Sequence, residues 1–315
     1  MPDTRQPAAR VRRPAWLRVA LPSGPAFAGT RELLAGLTLH TVCQSARCPN
    51  IFECFSRHTA AFLILGDVCT RSCAFCNIAR DASRPGPVPP DPDEPERLAR
   101  AARELGLGHV VVTSVTRDDL PDGGAGHYVA VLDALRAGLP RATREVLIPD
   151  FQGCPEALAR VLAAQPDIVN HNVETVPSCY AHIRPQARYE RSLELLRRVA
   201  RAGGVAKSGL MVGLGETDAE VEAVLRDLAE AGCRSVTIGQ YLQPTRLHLP
   251  PQRYVRPEVF EAWAALVREL GIDQAHCAPL VRSSYHAADF VDRRPADTTE
   301  ASVTPASCQA GVSGR

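Results

Sequence analysis

The chain has 315 residues, 45% of them hydrophobic and 23% charged, with a formal net charge of +1. That composition suits a globular core and disfavours both a strongly basic nucleic-acid binder and an acidic solvating chain. No stretch reaches the roughly 18 apolar residues of a membrane span.

Residues 1–40 read as an irregular arm with a short helix at 30–36. Residues 1–20 are rich in Arg and Pro and lack the apolar core of a signal peptide. Segment 41–58 shows neither a helix nor a strand period. AFLILGD (61–67) is a continuous apolar run, the pattern of a buried strand. After a Pro-rich loop at 84–95, helical patterns at 94–105, 125–138, 155–165, 190–203, 218–231 and 257–270 alternate with apolar runs. These runs fall at 109–114, 145–149, 167–170, 205–214, 235–240 and 274–281. Pro155 and Pro257 suit a first helical turn, and Gly106, Gly203, Gly232 and Gly271 suit helix ends.

Short strands alternating with helices indicate βαβ units and a parallel sheet in an α/β fold. Six repeats suit a partial (β/α)6 barrel of the TIM type. A doubly wound sheet is the alternative, and periodicity does not choose between them. The polar tail from 291 onward, which holds Cys308, is expected to be disordered.

Two features of composition call for chemistry. Lys and Arg total 36, yet Lys207 is the single lysine. Of 11 cysteines, six fall within the 34 residues from Cys43 to Cys76, where even scatter puts about one. A disulfide framework suits small secreted domains, so a chain of this size with no signal peptide points to metal in a reducing compartment.

Cys69, Cys73 and Cys76 follow the first strand in the spacing CxxxCxxC. Three thiolates can hold three irons of a cubane and leave the fourth open to a small molecule. Zinc more often closes with four ligands and paired CxxC spacing, and would need a distant fourth ligand here. Cys43, Cys48 and Cys54 form a second triplet, which invites a second cluster. By chemistry alone Cys154, Cys179, Cys233 and Cys277 are candidates for its fourth ligand, although isolated cysteines are usually core residues.

Beyond the DIV strand, Asn172 and Glu174 are placed to hold the ends of a small cofactor, and Arg184 to pair with a carboxylate. Lys207 stands where arginine would not serve, because a compact ammonium differs from a planar guanidinium. Glu216 in GLGET either contacts the cofactor or caps the helix near 218. The charged face of RSLELLRRVARA (191–202) is a solvated surface or a contact for an acidic partner. GLGET lacks the rest of a phosphate-loop signature.

The CxxxCxxC motif, with Phe75 before its last cysteine, resembles the radical S-adenosylmethionine superfamily. That resemblance implies an open iron that chelates S-adenosylmethionine, and cleavage to a 5′-deoxyadenosyl radical. The two triplets in this order resemble the lipoyl synthase family in particular. RRPAWLR (12–18), TVCQSARCPNIFEC (41–54), GDVCTRSCAFCNIAR (66–80), TSVTRDDLPDGGA (113–125) and PDFQG (149–153) match its motifs in order. NHNVETVP (170–177), KSGLMVGLGET (207–217), YLQPTRLHLP (241–250) and PLVRSSYHA (279–287) follow. Gln186 and Ala278 stand where the family often has glycine, which puts two local turns in doubt.

The resemblance implies two 4Fe–4S clusters: one on Cys69, Cys73 and Cys76, and an auxiliary one on Cys43, Cys48, Cys54 and a serine of the RSSY motif. That serine is Ser284, with Ser283 as fallback. It also implies insertion of two sulfurs, at C6 and C8 of a protein-bound N6-octanoyl-lysine, at the expense of two S-adenosylmethionine molecules. No side-chain acid or base is assigned, since those C–H bonds are not acidic. The implied partners are octanoylated lipoyl carrier domains (2-oxoacid dehydrogenase E2 subunits, glycine-cleavage H protein), a flavodoxin or ferredoxin, and an iron–sulfur carrier. Neither nucleic acid nor membrane is expected.

The expected organisation is an arm and auxiliary segment at 1–58, a barrel at 59–278, a closing segment at 279–290 and a tail at 291–315. The expected compartment is the bacterial cytoplasm rather than the mitochondrial matrix. Another radical sulfur-inserting enzyme, and a non-catalytic zinc-binding module, are the competing expectations.

Overall fold

The computed structural model describes residues 13–19, 25–80, 87–285 and 287–290. The expectations for the tail at 291–315, and for the first 12 residues of the arm, lie outside the described residues. In chain order α1 spans Pro25–Gly36, β1 His40–Thr41, α2 Val42–Ser45, α3 Ile51–Ser56, β2 Ala61–Ile64, β3 Val68–Cys69 and β4 Ala79–Arg80. The repeating units then run α4 Glu94–Glu104, β5 His109–Ser114, α5 Ala125–Gly138, β6 Thr143–Leu147, α6 Pro155–Ala163 and β7 Ile168–Asn170. They continue with α7 Tyr180–Ile183, α8 Tyr189–Arg201, β8 Ala206–Val212, α9 Asp218–Glu230, β9 Ser235–Gln240, α10 Pro257–Glu269 and β10 Gln274–Cys277.

The hydrogen-bonded strand order is β1-β2-β5-β6-β7-β8-β9-β10. Every pair is parallel except β1 with β2. A doubly wound sheet reverses its order at a switch point. Here spatial order follows chain order throughout, which is the wall of a partial barrel with β1 as a short antiparallel edge. The helices cover the wall by a 3.6-residue pattern. Tyr189, Ser192, Leu193, Leu196 and Val199 lie on the buried face of α8, and Arg201 faces out. Pro155 and Pro257 sit in the first turns of α6 and α10. Gly106, Gly203, Gly232 and Gly271 follow their helices with φ between +66° and +82°.

Segment 41–58, expected to lack helix, contains α2 and α3. At four and six residues they are too short to display a period. Thr41 caps α2 by accepting from the Gln44 N–H at 3.3 Å. Phe27 of α1 packs on Phe52 and Phe55 of α3 with ring centroids 5.3 and 5.8 Å apart, which holds this segment against the barrel edge. Helix α1 begins at Pro25 rather than 30. Strand β2 ends at Ile64, because Leu65 turns away with φ +68°.

The segment after β10 turns back into the barrel mouth. A Cβ on Gly239 of β9 would lie 2.1 Å from the Val281 carbonyl oxygen, so only glycine admits this approach. The 3-10 turn Ala287–Phe290 then packs against β5.

Candidate active site

The loop carrying Cys69, Cys73 and Cys76 is pinned at both ends, because Val68 and Cys69 pair in register with Ala79 and Arg80. Inside the loop, Arg71 donates to both Asp118 oxygens at 2.7 and 2.9 Å and to Asp150 at 2.6 Å. Arg71 and Asp150 are both buried, so this fork ties the loop to the ends of β5 and β6. The Ala74 N–H donates to the Ile183 carbonyl at 2.8 Å, and His248 Nε2 to the Cys76 carbonyl at 3.0 Å. Burial, with the neighbouring Cys73 and Cys69 adding to it, pushes the Cys76 thiol up to about 12.

The second triplet is built by α2 and α3. Cys43 lies beside the Ala61 N–H, at the start of β2, and burial pushes its thiol up to about 12. Cys48 feels burial first and then the opposing charge of Arg282. Cys54 is raised to about 12 by burial and by Cys43 and Cys48, so these thiols too are mutual neighbours. The closing segment is clamped onto this triplet. Asn50 Nδ2 donates to the Leu280 carbonyl at 2.7 Å, and the Tyr285 hydroxyl donates to Glu53 Oε2 at 2.9 Å.

A cavity of about 650 Å³ joins the two regions. Its wall includes Cys43, Cys48 and Cys54 at one side and Cys76 at another. Asn172, Glu174, Ser283 and Ser284 line the same cavity. Asn172 Nδ2 donates to Ser283 Oγ at 2.7 Å and to Glu174 Oε1 at 3.1 Å, while its buried Oδ1 has no partner. Burial lifts the Glu174 carboxyl above the usual range, against the charge of Arg184. The Ser284 side chain makes no hydrogen bond among the described residues.

The donor set fits iron–sulfur chemistry: soft thiols in two groups of three, and a serine hydroxyl and an orphaned amide oxygen on the shared cavity wall. Among the described residues no three His, Cys, Asp or Glu side chains are placed to hold a single metal ion. A cubane needs no such convergence, since its irons occupy separate corners.

Three expected cofactor contacts lie off the cavity wall. Arg184 is buried beside Cys73 and donates to the carbonyls of Asn172 and Val173 at 3.2 and 3.0 Å. Lys207 is fully buried and bonds both Glu145 oxygens, at 2.9 and 3.1 Å. The lone lysine is therefore half of an interior ion pair, set off the cavity wall. Glu216 accepts from the Gly213 and Leu214 N–H groups at 2.7 and 2.9 Å and from Arg253 at 3.1 Å. It is not the cap: Thr217 and Glu220 form the capping box of α9.

Cys154, Cys179, Cys233 and Cys277 are absent from the wall. The two departures from family glycines cost nothing, because neither Gln186 nor Ala278 has positive φ. Gln186 instead accepts from the Ser72 N–H at 3.3 Å, which tethers the cysteine loop. Sequence reasoning missed Asn50, Arg71 and Arg282, whose partners lie far away in the chain.

Two family profiles match. The Radical SAM superfamily covers residues 63–239, and the N-terminal domain of lipoyl synthase of the Radical_SAM family covers residues 3–48. The lipoyl synthase of Nitratidesulfovibrio vulgaris is 64% identical over 287 residues, 91% of this chain and 94% of that protein. That of Chlorobium chlorochromatii is 54% identical over 280 residues, 89% and 94% of the two chains. Among solved structures, Streptococcus suis SuiB bound to S-adenosylmethionine superposes with a TM-score of 0.55 at 12% identity, over 74% of this chain and 54% of that one. Methylornithine synthase (PylB) gives 0.52 at 13% identity, over 77% and 75%. The structures support the fold alone; the sequence matches reach from the N-terminal arm through the barrel and replace the zinc-module expectation with an enzyme family. The chain belongs to the lipoyl synthase family of the radical S-adenosylmethionine superfamily.

Proposed function

We propose that Cys69, Cys73 and Cys76 hold the radical-generating 4Fe–4S cluster and that Cys43, Cys48, Cys54 and Ser284 hold the auxiliary one. The reaction is the family's: protein-bound N6-octanoyl-lysine gains sulfur at C6 and C8 and becomes lipoyl-lysine. The observation that carries the assignment is one cavity onto which Cys76, the second triplet and Ser284 all open. When bound, the clusters supply the electron that cleaves S-adenosylmethionine and the sulfur that joins carbon.

The chain's own residues bind, orient and exclude water. Asn172 Oδ1, the unpartnered acceptor on the wall, takes a donor of S-adenosylmethionine, and Glu174 sits beside it. Arg184 acts at one remove, by holding the Asn172 and Val173 carbonyls and facing Cys73. Leu63, Val111, Leu147 and Leu210 line the same space and give an octanoyl chain an apolar wall. Ser284, a harder ligand than thiolate, suits a cluster meant to be opened. Ser283, already bonded to Asn172, is the weaker candidate.

The segment limits proposed are 1–58 for the arm and auxiliary triplet, 59–278 for the barrel, 279–290 for the closing segment and 291–315 for the tail. The proposed substrates are octanoylated domains of 2-oxoacid dehydrogenase E2 subunits and of the glycine-cleavage H protein. Flavodoxin or ferredoxin is the proposed electron donor, and the bacterial cytoplasm the compartment. Among the described residues no helix is long and apolar enough to cross a membrane.

The test is anaerobic reconstitution with reductant, S-adenosylmethionine and an octanoyl-lysyl peptide. The expected products are deoxyadenosine and a peptide that has gained two sulfurs. Deoxyadenosine with no sulfur addition would overturn the assignment of the second triplet.

A further inference from the structure

The loop that follows β9 carries the wall of the cavity out toward solvent. Tyr241, Leu242, Gln243 and Pro244 line the cavity, and a few residues on Leu247 is 96% exposed. No other large apolar side chain among the described residues is as exposed. A singly exposed leucine is ordinary on a protein surface. What sets this one apart is the bracing of its loop.

Both sides of the tip are tied down. The Tyr241 hydroxyl donates to the Leu249 carbonyl at 2.9 Å, and Gln243 Nε2 to the His248 carbonyl at 2.6 Å, which closes the loop at its base. The Thr245 hydroxyl oxygen accepts from the Leu247 N–H at 3.2 Å and bonds His248 Nδ1 at 2.8 Å. His248 Nε2 in turn donates to the Cys76 carbonyl at 3.0 Å. Cys76 is on the cavity wall, so Leu247 stands one residue from a side chain that grips the rim. A slack loop could fold an apolar side chain back onto the surface. This one holds Leu247 out in water, where its apolar area gains nothing until something covers it. Beside it Arg246 is exposed as well and makes no ion pair among the described residues.

We infer that Arg246 and Leu247 are the docking tip for the body of the octanoylated carrier domain. The inference rests on the functional reading above and adds where that partner is held. An extended octanoyl-lysine arm reaches about 15 Å from the carrier's backbone to its last carbon, from bonds of about 1.5 Å set in a zigzag. Its reacting carbons must enter the cavity, so the arm is too short to let the carrier's body stand clear of the rim. The loop braced on Cys76 is part of that rim, and its tip meets the carrier first. A leucine beside an unpaired cation fits a carrier surface with an apolar spot and a carboxylate next to the modified lysine. Affinity then comes from the carrier's body as well as from its acyl chain, and a short peptide forgoes the first part. A second copy of this chain seated on the tip would crowd the opening the arm must use.

The experiment compares two probes on reconstituted protein: a fluorescently labelled octanoylated carrier domain and a short octanoyl-lysyl peptide. Affinity for the domain is read by anisotropy without S-adenosylmethionine. Sulfur insertion into the peptide is read by mass spectrometry over a single turnover. Leu247→Asp is expected to weaken binding of the domain by about tenfold, the scale of one lost leucine contact, and to convert the peptide at the wild-type rate. Leu247→Met should bind the domain within about twofold of wild type. Arg246→Glu should slow association with the domain at low ionic strength, and high salt should erase the deficit. Unchanged domain binding by Leu247→Asp, or a parallel loss of peptide conversion, would overturn the inference while leaving the functional reading in place. A dimer that Leu247→Asp turns into a monomer in sedimentation would overturn it too, by giving the tip to a second copy. Wild-type protein that adds no sulfur to the peptide would overturn the functional reading and the inference with it.

Discussion

Asn172 donates its side-chain amide to the Ser283 hydroxyl at 2.7 Å, across 111 residues of sequence. The bond joins the loop beyond β7 to the closing segment and occupies one of the two serines of the RSSY motif. Its neighbour Ser284 is left to face the cavity. Ser284→Ala is accordingly expected to lower sulfur incorporation by more than about tenfold, while deoxyadenosine is still formed. Ser283→Ala should keep its iron and acid-labile sulfide. Metal and sulfide analysis with mass spectrometry of the peptide product separates the two. Full product yield and an intact auxiliary cluster in Ser284→Ala would show the ligand assignment to be wrong.

The approach of Val281 to Gly239 makes a second expectation. An alanine Cβ there would sit 2.1 Å from a backbone oxygen, closer than any real contact, and 3.0 Å from Arg282 Nη1. Backbone must give way, and the closing segment is the part free to move. Gly239→Ala should lose iron from the auxiliary triplet, expose residues near 281–290 to protease, and leave the Cys69–Cys76 cluster in place. Unchanged proteolysis and iron content would show that the segment is not held by this contact.

The cysteine triplets stood out because they repeat one residue type at close spacing, and the structure makes the thiols of each triplet neighbours. The helices were legible because their burial is periodic, and the strands because they are short, continuously buried apolar runs. The Lys207 ion pair was not legible for a physical reason: its scarcity is a property of composition, whereas its partner Glu145 lies 62 residues away. Glu216 was misread because its partners are its own loop's N–H groups. The clamp of Asn50 on Leu280 spans 230 residues and has no local signature.

Lys207 also makes a stability prediction. The ammonium and Glu145 are both fully buried, with Asn170 donating to Glu145 at 3.2 Å. Removing one partner leaves an uncompensated interior charge, at a cost of about 3–5 kcal/mol. Lys207→Met should therefore lower thermal stability sharply while leaving the affinity for S-adenosylmethionine within about twofold, since Lys207 is off the cavity wall. The double variant Lys207→Met with Glu145→Gln should recover part of the loss. Isothermal titration with S-adenosylmethionine is the decisive measurement: a large loss of affinity in the folded single variant would restore Lys207 to the site.

Acid should destabilise the cluster-free chain over two pH windows. Burial, reinforced by the Arg184 charge, holds His171 down to about 4, against an ordinary value of 6.5. The neutral ring donates through Nδ1 to the Ile148 carbonyl at 2.8 Å and accepts at Nε2 from Ser192 at 2.9 Å. Below pH 6.5 the unfolded chain takes up a proton that the folded ring refuses. Stability is thus complete above 6.5 and declines as pH falls toward 4, by about 3 kcal/mol.

Burial would raise Asp150, but the Arg71 hydrogen bond and charge outweigh it and hold the carboxyl at about 2 against 3.8. Its contribution, about 2 kcal/mol, is complete above 3.8 and is lost as pH falls toward 2. Urea midpoints measured across pH read both windows. His171→Gln should flatten the upper one alone, and Asp150→Asn the lower one alone. A His171→Gln chain that keeps the full slope between pH 6.5 and 4 would place the titrating group elsewhere.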